Sequence, residues 1–125
     1  MYIPSYISLH KSGKLKMLAE SLWQHMEKCD VCPRNCGANR LIGEKGTCGA
    51  DASLRIASFG PHFGEERELV GKGGSGTLFM SYCSLQCVFC LNYDISHGGV
   101  GQNKTTKDFA DMMLKLQDIG CSNIN

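Results

Sequence analysis

The chain has 125 residues, 42% of them hydrophobic and 20% charged, with a formal net charge of +1. That is enough for one modest domain with its own core, and a balanced charge without a basic stripe leaves nucleic acid no electrostatic footprint. No apolar run approaches the roughly 18–20 residues of a membrane span, and Met1-Tyr2-Ile3-Pro4-Ser5-Tyr6 lacks the pattern of a secretory signal.

After an extended start, Leu15, Leu18, Ala19, Leu22, Trp23 and Met26 recur at helical spacing. They predict a helix over about Lys14–Lys28, capped by Ser12, with Trp23 and Met26 packing the core. From Cys29 to about Asp51 the sequence is rich in Gly, Asn and Pro without a sustained period, and reads as loops tied by something other than a core. Leu54–Phe59 alternates weakly and suggests a short strand. Gly60-Pro61-His62-Phe63-Gly64 reads as a turn, followed by the solvated acidic cluster Glu65, Glu66 and Glu68. Gly71-Lys72-Gly73-Gly74-Ser75-Gly76 is not a phosphate loop, because a strand rather than a helix follows it.

That strand, Thr77–Ser81, is short, apolar and bounded by glycine, as a buried parallel strand would be. A long loop then runs through Gly98-Gly99 to about Lys104. Thr105 or Thr106 opens a helix with Asp108 as cap partner. Phe109, Met112, Met113 and Leu116 form its buried face, Gly120 ends it, and Cys121–Asn125 reads as entry into a second strand. The expected fold is α/β: one βα unit of a longer sheet, which cannot close alone. Residues 1–52 form a helical and Cys-rich segment, residues 53–125 the start of the α/β part, and the whole reads as the N-terminal fragment of a longer protein.

Eight cysteines without a signal peptide point to a reducing, cytoplasmic setting, where thiols bind metals more often than they form disulfides. They sort into four (Cys29, Cys32, Cys36, Cys48), three (Cys83, Cys87, Cys90) and a lone Cys121, read as a small buried hydrophobe. Thiolates select iron–sulfur clusters or zinc. Three of them on a four-iron cluster leave one iron open to a small molecule, whereas zinc would need His97 or Cys121 as a fourth ligand. The first group closes a four-thiolate shell, a structural zinc or an auxiliary 4Fe–4S cluster, and would order a segment without a strong core. His62 and His97 lie in loops expected near the three-cysteine site, and Asp94 reads as a loop cap.

Cys83-x3-Cys87-x2-Cys90, with Phe89 before its last cysteine, resembles the signature of the radical S-adenosylmethionine enzymes. Gly74–Phe79, Leu91–Ser96, Cys29-Asp-Val-Cys32-Pro33-Arg34-Asn35-Cys36-Gly37, Glu44–Gly49 and Phe59–Glu66 extend the likeness to homologues of pyruvate formate-lyase-activating enzyme with a Cys-rich N-terminal segment. The resemblance implies a partial (β/α) barrel, of which this chain carries the first unit. It implies a 4Fe–4S cluster on Cys83, Cys87 and Cys90, S-adenosylmethionine on the open iron, and Phe89 against the adenosyl moiety. Asn92, just past the cluster, is a second residue able to reach the cofactor. The implied activity is reductive cleavage to a 5′-deoxyadenosyl radical that abstracts hydrogen from a protein or peptide. An electron donor such as flavodoxin or ferredoxin would be needed. The strands that complete the cofactor pocket should follow Asn125, so the 125 residues alone are expected not to turn over. The competing class is a small metal-binding or electron-transfer module without catalysis.

Overall fold

The computed structural model describes residues 3–125; Met1 and Tyr2, the first part of the expected extended start, lie outside the described residues. The chain begins with a helical hairpin, α1 (Ser5–Lys11) and α2 (Lys14–Gln24), turned at Gly13. The expected single helix is therefore shorter, and part of the expected extended start is helical. Gly13, with a φ of 74°, is the N-cap of α2, while Ser12 closes α1 instead of capping α2. Neither helix buries a residue fully, and Trp23 is 46% exposed. The apolar stripe is real, but it lines an open groove of about 430 Å³ with Met26 and Val31 instead of packing the core.

A mixed four-stranded sheet carries the α/β part. Its strands are β1 (Leu54–His62), β2 (Ser75–Met80), β3 (Gln102–Lys104) and β4 (Asn123–Ile124), in the order β3-β1-β2-β4. β1 is antiparallel to both β2 and β3, with a bulge between Ile56 and Ser58. It runs through Gly60, Pro61 and His62, residues expected to turn, because β2 offers partners as far as Ser75. β3 was hidden in the sequence: Gln102, Asn103 and Lys104 have no apolar alternation and pair only because β1 lies beside them.

Two single-turn helices follow β1 and the cysteine loop, α3 (Arg67–Val70) and α4 (Tyr93–Ser96). The long α5 (Thr106–Asp118) begins as its sequence requires. Thr105 accepts from the Asp108 N–H at 3.1 Å while the Asp108 carboxylate accepts from the Thr105 N–H at 2.8 Å, a reciprocal capping box. The backbone N–H of Thr105 first, and then its hydroxyl, donate to the Asp108 carboxylate and hold that carboxyl below its usual range.

The unit β2–α5–β4 is a parallel crossover, with Ser75 opposite Asn123 and Gly76 opposite Ile124. Leu116 of α5 is 0% exposed and packs against β2. Met113, expected on that buried face, is exposed. The crossover accounts for the glycine-rich stretch before β2. A Cβ on Gly73 would lie 1.7 Å from the Gly120 carbonyl oxygen, and one on Gly76 2.8 Å from that of Asn123. Glycine is there so that two backbones can touch.

The surface is large for the mass. A compact monomer of 13.7 kDa exposes about 6,600 Å², whereas this chain exposes 9166 Å². Among the described residues the buried apolar ones are few: Cys29, Ala38, Ile56, Leu78 and Leu116. Among the described residues no helix is long and apolar enough to cross a membrane.

Candidate metal centre

Antiparallel pairing of β1 with β2 brings the two cysteine groups to one end of the sheet. The Cys-rich segment enters β1 at Leu54, near Ile56, which stands opposite Met80 at the end of β2. The three-cysteine loop leaves β2 at that same end. His62 pairs with Ser75 at the other end of β2. Its Nδ1 lies 3.2 Å from the Glu65 carboxylate without a hydrogen bond, and its ring lies edge-on to Phe79, so its expected place near the three-cysteine loop is corrected: it is a strand length away.

The loop from Cys83 to Gly99 is fixed at its root. Ser81 donates its N–H to Arg55 O and its hydroxyl to Val100 O, Tyr82 donates its N–H to Ile95 O at 3.0 Å, and Arg55 Nε donates to Gly99 O. Tyr82 and Gln86 adopt left-handed backbone, with φ of 69° and 50°. Such conformations cost of order 1–2 kcal/mol each and persist only where their surroundings impose them. The Tyr82 ring fits between two glycines: a Cβ on Gly99 would lie 2.4 Å from it, and one on Gly49 3.0 Å.

Cys83, Cys87 and Cys90 are each half-buried and free. The Cys90 N–H donates to Cys87 O, closing a tight turn around Val88 and Phe89. Those two side chains project outward, 92% and 83% exposed. Asn92 is also exposed, and its carbonyl caps α4 by accepting from Ile95 and Ser96. The Asp94 carbonyl accepts the Val100 N–H at 3.1 Å, so this residue closes its loop through the main chain.

His97, by contrast, is part of the centre. Its ring stacks on Tyr93 at 4.3 Å, and Nδ1 lies 2.8 Å from the hydroxyl of the buried Ser96. Ser96 in turn donates to Cys90 Sγ at 3.2 Å. A thiolate can only accept, so with Cys90 ionised the single hydroxyl proton belongs to sulfur and His97 must present Nδ1–H to Ser96 Oγ. Nothing in the sequence singles out Ser96 beyond its place six residues after Cys90; only the one-turn α4 swings it back.

The four N-terminal cysteines gather around Arg40, which stands in a 3-10 turn (Arg40–Ile42). Its Nε donates to Cys29 Sγ at 3.0 Å, Nη2 to Cys48 Sγ at 3.3 Å, and Nη1 to Ala50 O at 2.8 Å. Cys32, Cys48 and Arg40 line a cavity of about 190 Å³ together with Ser84 of the other cysteine loop. Burial pulls the guanidinium down, but its bonds to Cys48 and Cys29 more than offset this and hold the proton more tightly than usual. The Cys36 thiol is lowered from 9.0 to about 7, first by the Ala38 and then the Thr47 backbone N–H, with smaller help from Cys29 and Arg40. Arg40 carries no metal signature in the sequence, which is why spacing alone could not find it.

The donor sets can be tested against the groups they suggest. Among the described residues, no three of His, Cys, Asp and Glu converge on a point that one metal ion could occupy. A four-iron cluster makes no such demand, because each cysteine binds its own iron. Three thiols are the donor chemistry of an iron–sulfur cluster or of zinc. At the N-terminal group, closing on one zinc requires the Arg40-bridged thiols to draw together.

No family model and no solved structure matches the chain. Among curated proteins it is similar to an uncharacterized protein of Methanocaldococcus jannaschii, with 37% identity over 86 residues, which is 69% of this chain and 24% of that protein. The chain therefore spans about a quarter of the length of the curated relative it matches.

Proposed function

We propose that the chain is part of a radical S-adenosylmethionine iron–sulfur protein of the activating-enzyme type. Cys83, Cys87 and Cys90 would hold a 4Fe–4S cluster, and S-adenosylmethionine would take the iron they leave free. When bound, this pair supplies one-electron cleavage chemistry that ends in hydrogen abstraction from a peptide or protein substrate. The observation that carries the reading is the place of the three thiols. They leave the C-terminal end of β2, the first strand of a parallel β2–α5–β4 crossover, where α/β folds put their active sites.

The chain's own residues have separable tasks. Tyr82, wedged by Gly49 and Gly99, sets the direction in which the loop leaves the sheet. The Cys90 N–H to Cys87 O bond turns the loop so that Phe89 stands free for the adenosyl group. Ser96 orients Cys90 Sγ and returns part of its charge to a hydrogen bond, with His97 holding the hydroxyl in place. The finer architecture, a partial (β/α) barrel begun by this crossover, is supported by the excess surface and by the exposed Leu85, Val88 and Leu91, which later barrel elements would cover. A flavodoxin- or ferredoxin-like donor would supply the electron. Cys29, Cys32, Cys36 and Cys48 would hold zinc or an auxiliary 4Fe–4S cluster.

Anaerobic reconstitution with iron and sulfide tests the assignment. Iron above that of a Cys83/Cys87/Cys90 triple-alanine variant, with an electron paramagnetic signal that shifts when S-adenosylmethionine is added, is the expected result. Iron with an unshifted signal would favour an electron-transfer module, and no iron above the variant would end the proposal.

A further inference from the structure

The two cysteine groups touch through side chains that the metal reading does not use, Arg34 foremost. Arg34, between Cys32 and Cys36, reaches across to the other loop and donates Nε to Ser84 O at 2.8 Å and Nη2 to Leu85 O at 2.9 Å. Both acceptors lie between Cys83 and Cys87, immediately before Gln86, the residue held at a φ of 50°. Gln86 then answers in the opposite direction, its Nε2 donating to Thr47 O, next to Cys48, at 3.2 Å. Gly49 against the Tyr82 ring makes a third contact at the loop's root.

We infer that the Cys29–Asp51 segment is a positioning clamp for the three-cysteine loop, with Arg34 as its positioning residue. The inference rests on the reading that Cys83, Cys87 and Cys90 hold the cluster. Three physical points support it. A guanidinium presents parallel N–H groups in a rigid fork, and here both prongs are used on consecutive carbonyls, which fixes direction as well as distance. The clamped residues immediately precede a left-handed, non-glycine position, which needs an outside hold to persist. Arg34 itself stays exposed, so it contributes little to any core and has no other evident packing role. The N-terminal segment thus presets the spacing between Cys83 and Cys87 before a cluster is present. Metal or no metal at the four-cysteine group, the contact is made by main-chain carbonyls and needs no titration.

Amide exchange followed by nuclear magnetic resonance on the full chain, metal-free and reduced, tests the clamp without reference to iron. In Arg34→Ala, the Cys90 and Tyr82 amides, which donate to Cys87 O and Ile95 O, should exchange roughly tenfold faster or more. The Cys121 amide, bonded to Leu116 O beyond α5, should not change. Arg34→Lys keeps the charge and a single donor nitrogen but loses the rigid fork, and should fall between the two. After reconstitution, Arg34→Ala should take up less iron at the three cysteines, and its reduced signal should spread over more than one species. Unchanged exchange at Cys90 and Tyr82, or an equal rise at Cys121, overturns the clamp. Absence of iron in the native chain above the triple-alanine variant overturns the cluster reading instead and leaves the exchange result to decide the clamp.

Discussion

Replacing Arg40 with methionine removes three hydrogen bonds while keeping most of the side-chain volume. The bonds lost run to Cys29 Sγ, Cys48 Sγ and Ala50 O, and they tie residues up to 21 positions apart, counting from Cys29 to Ala50. A hydrogen bond from a charged donor contributes about 1.5–3 kcal/mol. Two of the acceptors here are sulfur, a weak partner in the neutral thiol, so about 1 kcal/mol for each of them and about 1.5 kcal/mol for the carbonyl is a fair allowance. The expected loss is therefore about 3.5 kcal/mol against a total domain stability of about 5–15 kcal/mol. With a urea slope of about 1.5–2 kcal/mol per molar, the midpoint of the metal-free, reduced chain should fall by roughly 1.8–2.3 M. Far-ultraviolet circular dichroism in a chelating, reducing buffer measures it, and zinc should recover part of the loss if the four thiols then close on the ion. An Arg40→Met midpoint within about 0.3 M of the native chain would refute the bookkeeping, because the guanidinium would then not be what organises the segment.

Three further outcomes follow from the same geometry. Ser96→Ala should leave iron content unchanged yet move the reduction potential of the reconstituted cluster to more negative values, since a hydrogen bond to sulfur favours the reduced, more anionic state; Ser96→Thr should restore it, and spectroelectrochemical titration reads both. In the metal-free chain, alkylation of Cys36 should rise with a midpoint at about 7 instead of 9.0. Because the folded thiol is the more acidic, its contribution to stability is complete above pH 9, declines below it and is lost as pH falls through 7. Leu116→Ala should cost about 3–5 kcal/mol, in the upper part of the usual range, because its Cβ already stands 3.3 Å from where a Gly76 Cβ would be and the crossover has little room to collapse; thermal unfolding checks it.

The structure separates what each kind of pattern can encode. α5 was readable to within one residue at its start, because Thr105 and Asp108 cap one another locally and need no partner from elsewhere. β2 was readable as a short apolar run bounded by glycine, and the entry into β4 from its place just after Gly120 ends α5. β3 was not, since Gln102–Lys104 owes its strand to β1 alone. Trp23 shows the opposite failure: its helical stripe was legible, but periodicity states which face is apolar and not what covers it, and here it remains exposed.

At the candidate centre, identity and spacing were local facts. Two groups of soft ligands, and the aromatic Phe89 between two of them, could be listed from the chain alone. That the groups share one end of a sheet, that Arg40 stands among four thiols, that Arg34 grips the loop between Cys83 and Cys87, and that Ser96 returns to Cys90 were tertiary decisions. Each depends on contacts across turns or strands whose partners are distant in sequence or reversed in direction. Spacing fixes which atoms can bind a metal, while only the packed backbone fixes what holds those atoms still.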